Sequence, residues 1–389
     1  MELAEEKPIR KDAMQPKAAR NIPIEALRLV AVAGIAVFHT FQWTFQATCV
    51  GLPEYAPLAA FPYSGVLGFI NLLGCWANEV FFMISGYFLI ASAARAWDGG
   101  ATWKSQTQRT AQRLGKVVMP TTFYCLVALA WSTAVSPIPD VTLNTHYWYT
   151  LGLEFIWVYA ATVFMAPWFG LAKSRLSQKS YTATVIAVGI LAFVVNGYLA
   201  AMSTTSAGEF SWLQKLMSAA TYVIAFLIGG LLRNVTGAMD SDKTGALGMR
   251  SLVTVLVLAT ILEGALSFTG NLTAMAVLSY KSTSLISFAL AAASLLFAAT
   301  RRSVSGNPRT AGVIVTLSTA TLGFYVMQSL ASSLWRPVFN TLLTNILVSQ
   351  NSPAAICIIT GTVISIVFAL ALLIIDAARS LIVRKLKRQ

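Results

Sequence analysis

IEALRLVAVAGIAVFHTFQWTF, residues 24–45, decides the fold class. It is an apolar run long enough to cross a bilayer as one helix, since the hydrocarbon core takes about 20 residues at about 1.5 Å each. Yet it holds ionisable residues, among them Arg28 near its start and His39 deep inside. On a helix their spacing leaves them about 20° apart around the axis and about 16 Å apart along it. They share one face at two depths. An ionisable group inside a span is costly and is by default a functional hypothesis.

The rest of the chain repeats the apolar pattern. Of 389 residues, 56% are hydrophobic and 11% charged, and the mean hydropathy is +0.67. A soluble domain carries about 25% charged residues, so too few remain here to coat a soluble surface. Apolar runs predict about ten spans in an all-α, polytopic transmembrane bundle. They fall near 24–45, 66–94, 117–135, 148–171, 181–202, 212–233, 250–270, 282–300, 311–334 and 354–376. The first run is too long for a signal-peptide core and reads as a retained span.

The net charge of +13 is a topology signal rather than a nucleic-acid footprint, because Lys and Arg gather in alternate loops. One side holds Arg95 to Lys116, then Lys173, Arg175 and Lys179, then Arg233, Lys243 and Arg250, then Arg301, Arg302 and Arg309, and the C-terminal Arg379 to Arg388. The other holds only Lys215, Lys281 and Arg336. This asymmetry puts both termini in the cytoplasm of a multi-pass cell-membrane protein. Residues 1–22 then form a disordered tail, 23–378 the membrane domain and 379–389 a basic tail. Arg95 to Lys116 reads as an amphipathic helix along the inner surface.

Several polar residues are candidates for chemistry. Glu79, near the middle of the second span, runs antiparallel to His39 and is placed to approach it. A carboxylate beside an imidazole fixes its tautomer and raises its basicity, as a general base requires; the bland reading is a buried pair that pins two helices. Ser85 and Gly86 allow close helix approach or make room for a ligand. Arg109, Arg113 and Lys116 recur on one helical face, as inner-surface anchors or as a strip for an anionic cytoplasmic ligand. His146, Trp148 and Tyr149 stand at the outer end of the fourth span, as an interface belt or a sugar platform. Glu154 and Glu263 have no obvious partner, and Gln328 and Arg336 carry little signal. The four cysteines are scattered without CxxC spacing. No metal-ligand spacing, glycine-rich phosphate loop or GxSxG elbow is present.

The ordered set of these motifs resembles the bacterial acyltransferase family 3. The matches are Arg28-x10-His39, FFMISGYF at 81–88, the Arg109/Arg113/Lys116–Pro120 segment, HYWY at 146–149 with Tyr159 and Pro167 beyond it, and TLGFYVMQS at 321–329. Gln328 stands where many members have a His, Lys116 where Arg is frequent, and Glu79 has no fixed counterpart. The resemblance implies an integral-membrane O-acyltransferase with acetyl-CoA or another acyl-CoA as co-substrate and no bound cofactor. It implies a cell-envelope glycan or lipid-linked saccharide as acceptor. On that reading the inner Arg/Lys strip and Ser85 meet the donor, Arg28 guides it, His39 is general base or acyl carrier, and His146, Trp148 and Tyr149 meet the acceptor. Two alternatives stay open. Arg28, His39 and Glu79 could line a proton or solute pathway in a transporter, or the chain could be a non-catalytic subunit of a polysaccharide assembly complex.

Overall fold

The computed structural model describes residues 20–144, 150, 152–203, 211–238, 241–279, 284–301, 307–349 and 353–386. Among the described residues the regular structure is all helical, apart from one isolated bridge between Ile138 and Val141. The long helices are α1 (Ile22–Cys49), α3 (Tyr63–Asp98), α4 (Trp103–Ala134), α5 (Glu154–Arg175), α6 (Gln178–Ser203), α7 (Ser211–Ala238), α8 (Ser241–Phe268) and α14 (Pro353–Leu386). Between them lie α2 (Ala56–Ala59), α9 (Leu272–Leu278), α10 (Leu285–Thr300), α11 (Pro308–Ser318), α12 (Thr321–Leu330) and α13 (Ser332–Ser349). The eight long helices are apolar enough to cross a membrane; α11 and α12 together make a ninth, broken span, and α10 is apolar but shorter. The fold is that of a multi-pass helical membrane protein.

Local chemistry sets the helix starts. Asn21 Oδ1 accepts a hydrogen bond from the Ile24 N–H at 3.2 Å, with Pro23 in the first turn of α1. Thr102 and Ser284 cap α4 and α10 in the same way, through Ser105 and Ser287 N–H. Each cap satisfies an orphan donor that lipid could not satisfy.

α3 is the most buried of the long helices and packs against α1, α5, α7, α8 and α10. Glycine makes this possible. A Cβ on Gly86 would overlap the Phe226 carbonyl of α7, and one on Gly229 of α7 would overlap the Met83 carbonyl. The two backbones therefore touch, as small residues permit where lipid offers no hydrophobic drive to association. α8 and α14 are the least buried of the spans. Ile261 on α8 and Val367 and Ile374 on α14 are exposed, as suits faces solvated by acyl chains.

Three expected boundaries differ. Arg95 belongs to the end of α3, and the segment through Lys116 is continuous with the following span as one helix, α4. Pro120 lies inside α4 without ending it; the turn falls instead at Gly99 and Gly100, where Gly100 takes a φ of 78°. The span expected at 311–334 is bent by 41° between α11 and α12. Around that bend the Thr319 and Thr321 hydroxyls donate to the Thr316 and Ser318 carbonyls, a competition that bends helices. The stretch expected as a loop around Arg336 is α13, packed on α14 through Trp335 and Phe339 against Phe368.

Candidate active site

Arg28 and His39, both on α1, have different environments. Arg28 is held locally, its Nη1 donating to Glu25 Oε2 at 3.0 Å one turn earlier. Ser318 Oγ, at the α11–α12 bend, donates to the same carboxylate oxygen at 2.7 Å. The bend is thus tied to the basic end of α1, and Arg28 is oriented by a pair that is itself anchored.

Arg28 borders a cavity of about 350 Å³ between α1, α3, α4, α5 and the α11–α12 bend. Arg113 and Lys116 line it from α4, Ser85 from α3, and Thr319 and Thr321 from the bend. Deeper in, the walls are Ile35, Phe81, Phe155, Tyr159 and Tyr325. Its cations therefore cluster towards the end of the bundle where Arg95 and Lys173 also lie, and its interior is aromatic and aliphatic. Arg113 donates from Nη2 to Ser92 Oγ at 3.2 Å, while its buried Nη1 has no partner. Arg109, one turn earlier, is exposed and does not line the cavity.

Ser85 and its neighbour Gly86 divide the two readings between them. Gly86 faces α7 and serves close packing. Ser85 lines the cavity and shares a hydrogen bond with the Tyr159 hydroxyl at 2.9 Å. Behind them Phe82 stacks on Tyr222, with Phe155 and Tyr159 edge-on, an arrangement that holds the cavity wall rigid.

His39 and Glu79 do not meet. The α1–α3 contact pairs Gly34 with Trp76 and Ala77, and Phe38 with Gly74. In that antiparallel register Glu79 is level with Val32 and Ala33, roughly 10 Å short of His39 along the axis. Glu79 is fully buried, and both of its carboxylate oxygens lack hydrogen-bond partners. The partner of His39 comes instead from α13: Arg336 Nη2 lies 3.1 Å from His39 Nδ1. Gln42, one turn further along α1, lines the same cavity as the imidazole.

Two smaller cavities meet at this pair. One, of about 220 Å³, is lined by His39, Gln42, Trp43, Gln46, Arg336 and Asn340. The other, of about 230 Å³, has His39, Arg336, Asp140, Gly152, Ser329 and Tyr325 among its walls. Tyr325 thus faces the Arg28 cavity on one side and the His39 cavity on the other. It is the partition between them.

The sequence matches the acyltransferase-domain family from residue 21 to residue 372. No curated protein and no solved structure matches the chain. The match takes in α1, the cavity walls and α13. The chain belongs to acyltransferase family 3. It is accordingly a membrane acyltransferase.

Within this acyltransferase the remaining candidates scatter. His146, Trp148 and Tyr149 lie outside the described residues. Glu154 is exposed in the first turn of α5. Glu263 is buried against Gly68 with both oxygens unpartnered. Gln328 is buried, its backbone carbonyl accepting from Trp335 Nε1 at 2.9 Å. Sequence reasoning passed over Arg336 and Tyr325. Arg336 carried one weak signal, as one of few cations outside the basic loops; Tyr325 was visible only as part of TLGFYVMQS. It also passed over Asp376, a buried carboxylate that pairs with Arg379 at 2.7 Å and accepts from Tyr124 OH at 2.7 Å. That cluster fastens α14 to α4.

Proposed function

We propose that this acyltransferase moves an acyl group, most simply acetyl from acetyl-CoA, onto a hydroxyl of a cell-envelope glycan or its lipid-linked precursor. The observation that carries the reading is the pair of cavities divided by Tyr325, one rimmed by cations and one holding His39. The positive-inside asymmetry assigns the cationic end to the cytoplasm of the cell membrane, where acyl-CoA is available. Arg28, Arg113 and Lys116 suit a phosphate-bearing donor, since Arg donates to phosphate in a planar fork and Lys as a point charge. A cavity of about 350 Å³ has room for the acyl-bearing arm rather than the whole donor, so the nucleotide phosphates would stay at its mouth. The apolar interior favours the thioester arm over water.

His39 supplies the basic group. As general base it takes the proton of the acceptor hydroxyl; the oxygen attacks the thioester carbonyl, the C–S bond breaks, and the thiolate leaves with that proton. Acyl transfer requires such a base within reach of donor and acceptor together, and His39 sits beyond the Tyr325 partition from the donor arm. The opposite cavity, with Asp140, Ser329 and Ser333 along its walls, offers the polar lining a saccharide needs. His146, Trp148 and Tyr149 belong to the same acceptor side in this reading. Family membership favours the enzyme over the transporter and the non-catalytic subunit.

Purified protein in lipid nanodiscs, given labelled acetyl-CoA and glycan or lipid-linked saccharide acceptors, tests this directly. Wild type is expected to transfer label to the acceptor, and His39→Ala to lose on the order of 100-fold or more in rate while keeping its elution profile. Full transfer by folded His39→Ala would remove His39 from the mechanism. Absence of donor binding by wild type would overturn the reading as a whole.

A further inference from the structure

The histidine on which transfer would turn is capped. A guanidinium carries only N–H donors and stays protonated. With Arg336 Nη2 at 3.1 Å, Nδ1 of His39 must therefore be the acceptor, and in the neutral ring the proton sits on Nε2. A general base needs a free lone pair. In this tautomer Nε2 has none, and the one on Nδ1 is taken by Arg336.

The surroundings of Arg336 suit a cap that can leave. Among the described residues no carboxylate lies within salt-bridge distance of it, and its buried Nε has no partner. The guanidinium rests near the Trp335 ring, 5.6 Å from its centroid, and borders both cavities at His39. Asp140 borders one of them, a carboxylate available to the guanidinium once it quits the imidazole. The acceptor hydroxyl, arriving in that cavity, is a neutral donor like water, but it competes for the lone pair with the binding energy of the rest of the acceptor behind it.

We infer that Arg336 is a positioning residue that caps His39 Nδ1 until an acceptor hydroxyl displaces it, and so directs the acyl group to the acceptor rather than to water. The inference rests on the reading of His39 as the base of acyl transfer. Once Arg336 has moved, the acceptor O–H gives its proton to Nδ1, its oxygen bonds to the acyl carbon, and the thiolate leaves with the proton from the imidazolium. Water could follow the same path to a free carboxylic acid, but a lone water must outcompete a charged donor already seated on Nδ1. A hydrogen bond from a charged donor is the stronger of the two.

The chain has two histidines, so nitrogen-15 NMR of histidine-labelled protein in nanodiscs resolves His39 once His146→Gln identifies the other. Wild type without substrates is expected to show a single Nε2–H tautomer with an acceptor-type Nδ1. In Arg336→Leu that signature is expected to give way to mixed tautomers, and acceptor-independent hydrolysis of acetyl-CoA to rise roughly tenfold. Arg336→Lys, which keeps a cationic donor, should hold hydrolysis nearer to wild type. A wild-type His39 protonated on Nδ1 overturns the inference and needs no variant to fold. So does a folded Arg336→Leu whose tautomer and hydrolysis both match wild type. The tautomer measurement uses no acyl donor, so a capped His39 in a protein that transfers no acyl group would refute the proposed function and leave the cap standing.

Discussion

The two ends of the apolar run in α1 make an instructive pair. Arg28 finds its partner Glu25 three residues away; His39 finds Arg336 across 297 positions. A partner one turn off is dictated by helix geometry alone, because i and i+3 share a face. A partner on a distant helix exists only after α13 has packed on α14. The Arg28–Glu25 pair is therefore set locally, with Ser318 as its remote anchor, whereas the His39 pair depends wholly on packing elsewhere in the bundle. Sensitivity to remote packing should distinguish the two.

The sharpest way to break this comparison is to loosen α13 without touching either polar residue. Phe368→Ala removes the α14 ring against which Trp335 and Phe339 pack. Transfer is expected to fall by about 10- to 100-fold, the scale of an ångström-sized misplacement at a reacting centre, while acyl-CoA affinity from titration stays at the wild-type value. An equal loss of donor affinity would mean that the two ends are not independent.

A smaller effect is expected within the cationic end. Arg113→Glu should weaken acyl-CoA binding by roughly tenfold, since a charge-assisted contact contributes about 1.5–3 kcal/mol. Arg109→Glu should weaken it less, because that side chain is exposed and outside the cavity. Binding isotherms at several salt concentrations would compare the two, and equal losses would make the strip a diffuse surface charge.

The smallest effect concerns Glu79. With no partner on either oxygen and a level well short of His39, Glu79→Gln breaks no hydrogen bond and should leave kcat within about threefold of wild type. A loss on the scale of His39→Ala would return Glu79 to the reacting centre.

Much of the cationic cavity was legible beforehand, since Arg28, Ser85, Arg113 and Lys116 were all marked and all line it. Ser85 lay next to a glycine in an apolar span, and the cations stood out against their surroundings. The His39 end was half legible. A lone imidazole in a span announces itself, but the search for its partner went to the nearest buried acid. Whether a carboxylate on the adjacent antiparallel helix reaches the imidazole cannot be told without the register, and the register was decided by Gly34 against Trp76 and Phe38 against Gly74.

By itself the sequence determined that the chain is a helical membrane protein, because hydrocarbon admits only backbones that satisfy their own hydrogen bonds and so demands long apolar runs. It determined as well that Arg28 and His39 share a face of α1, since helical periodicity is local. Only the tertiary structure decided what each of them sees. It continued the inner basic segment into α4, bent the ninth span at its threonine hydroxyls, and folded the stretch around Arg336 into a helix. The packing of that helix on α14 and the tie of the bend to Glu25 depend on contacts between segments far apart in the chain, which no local pattern encodes. Arg336, read first as a stray loop cation, became the nearest charged neighbour of the histidine for that reason.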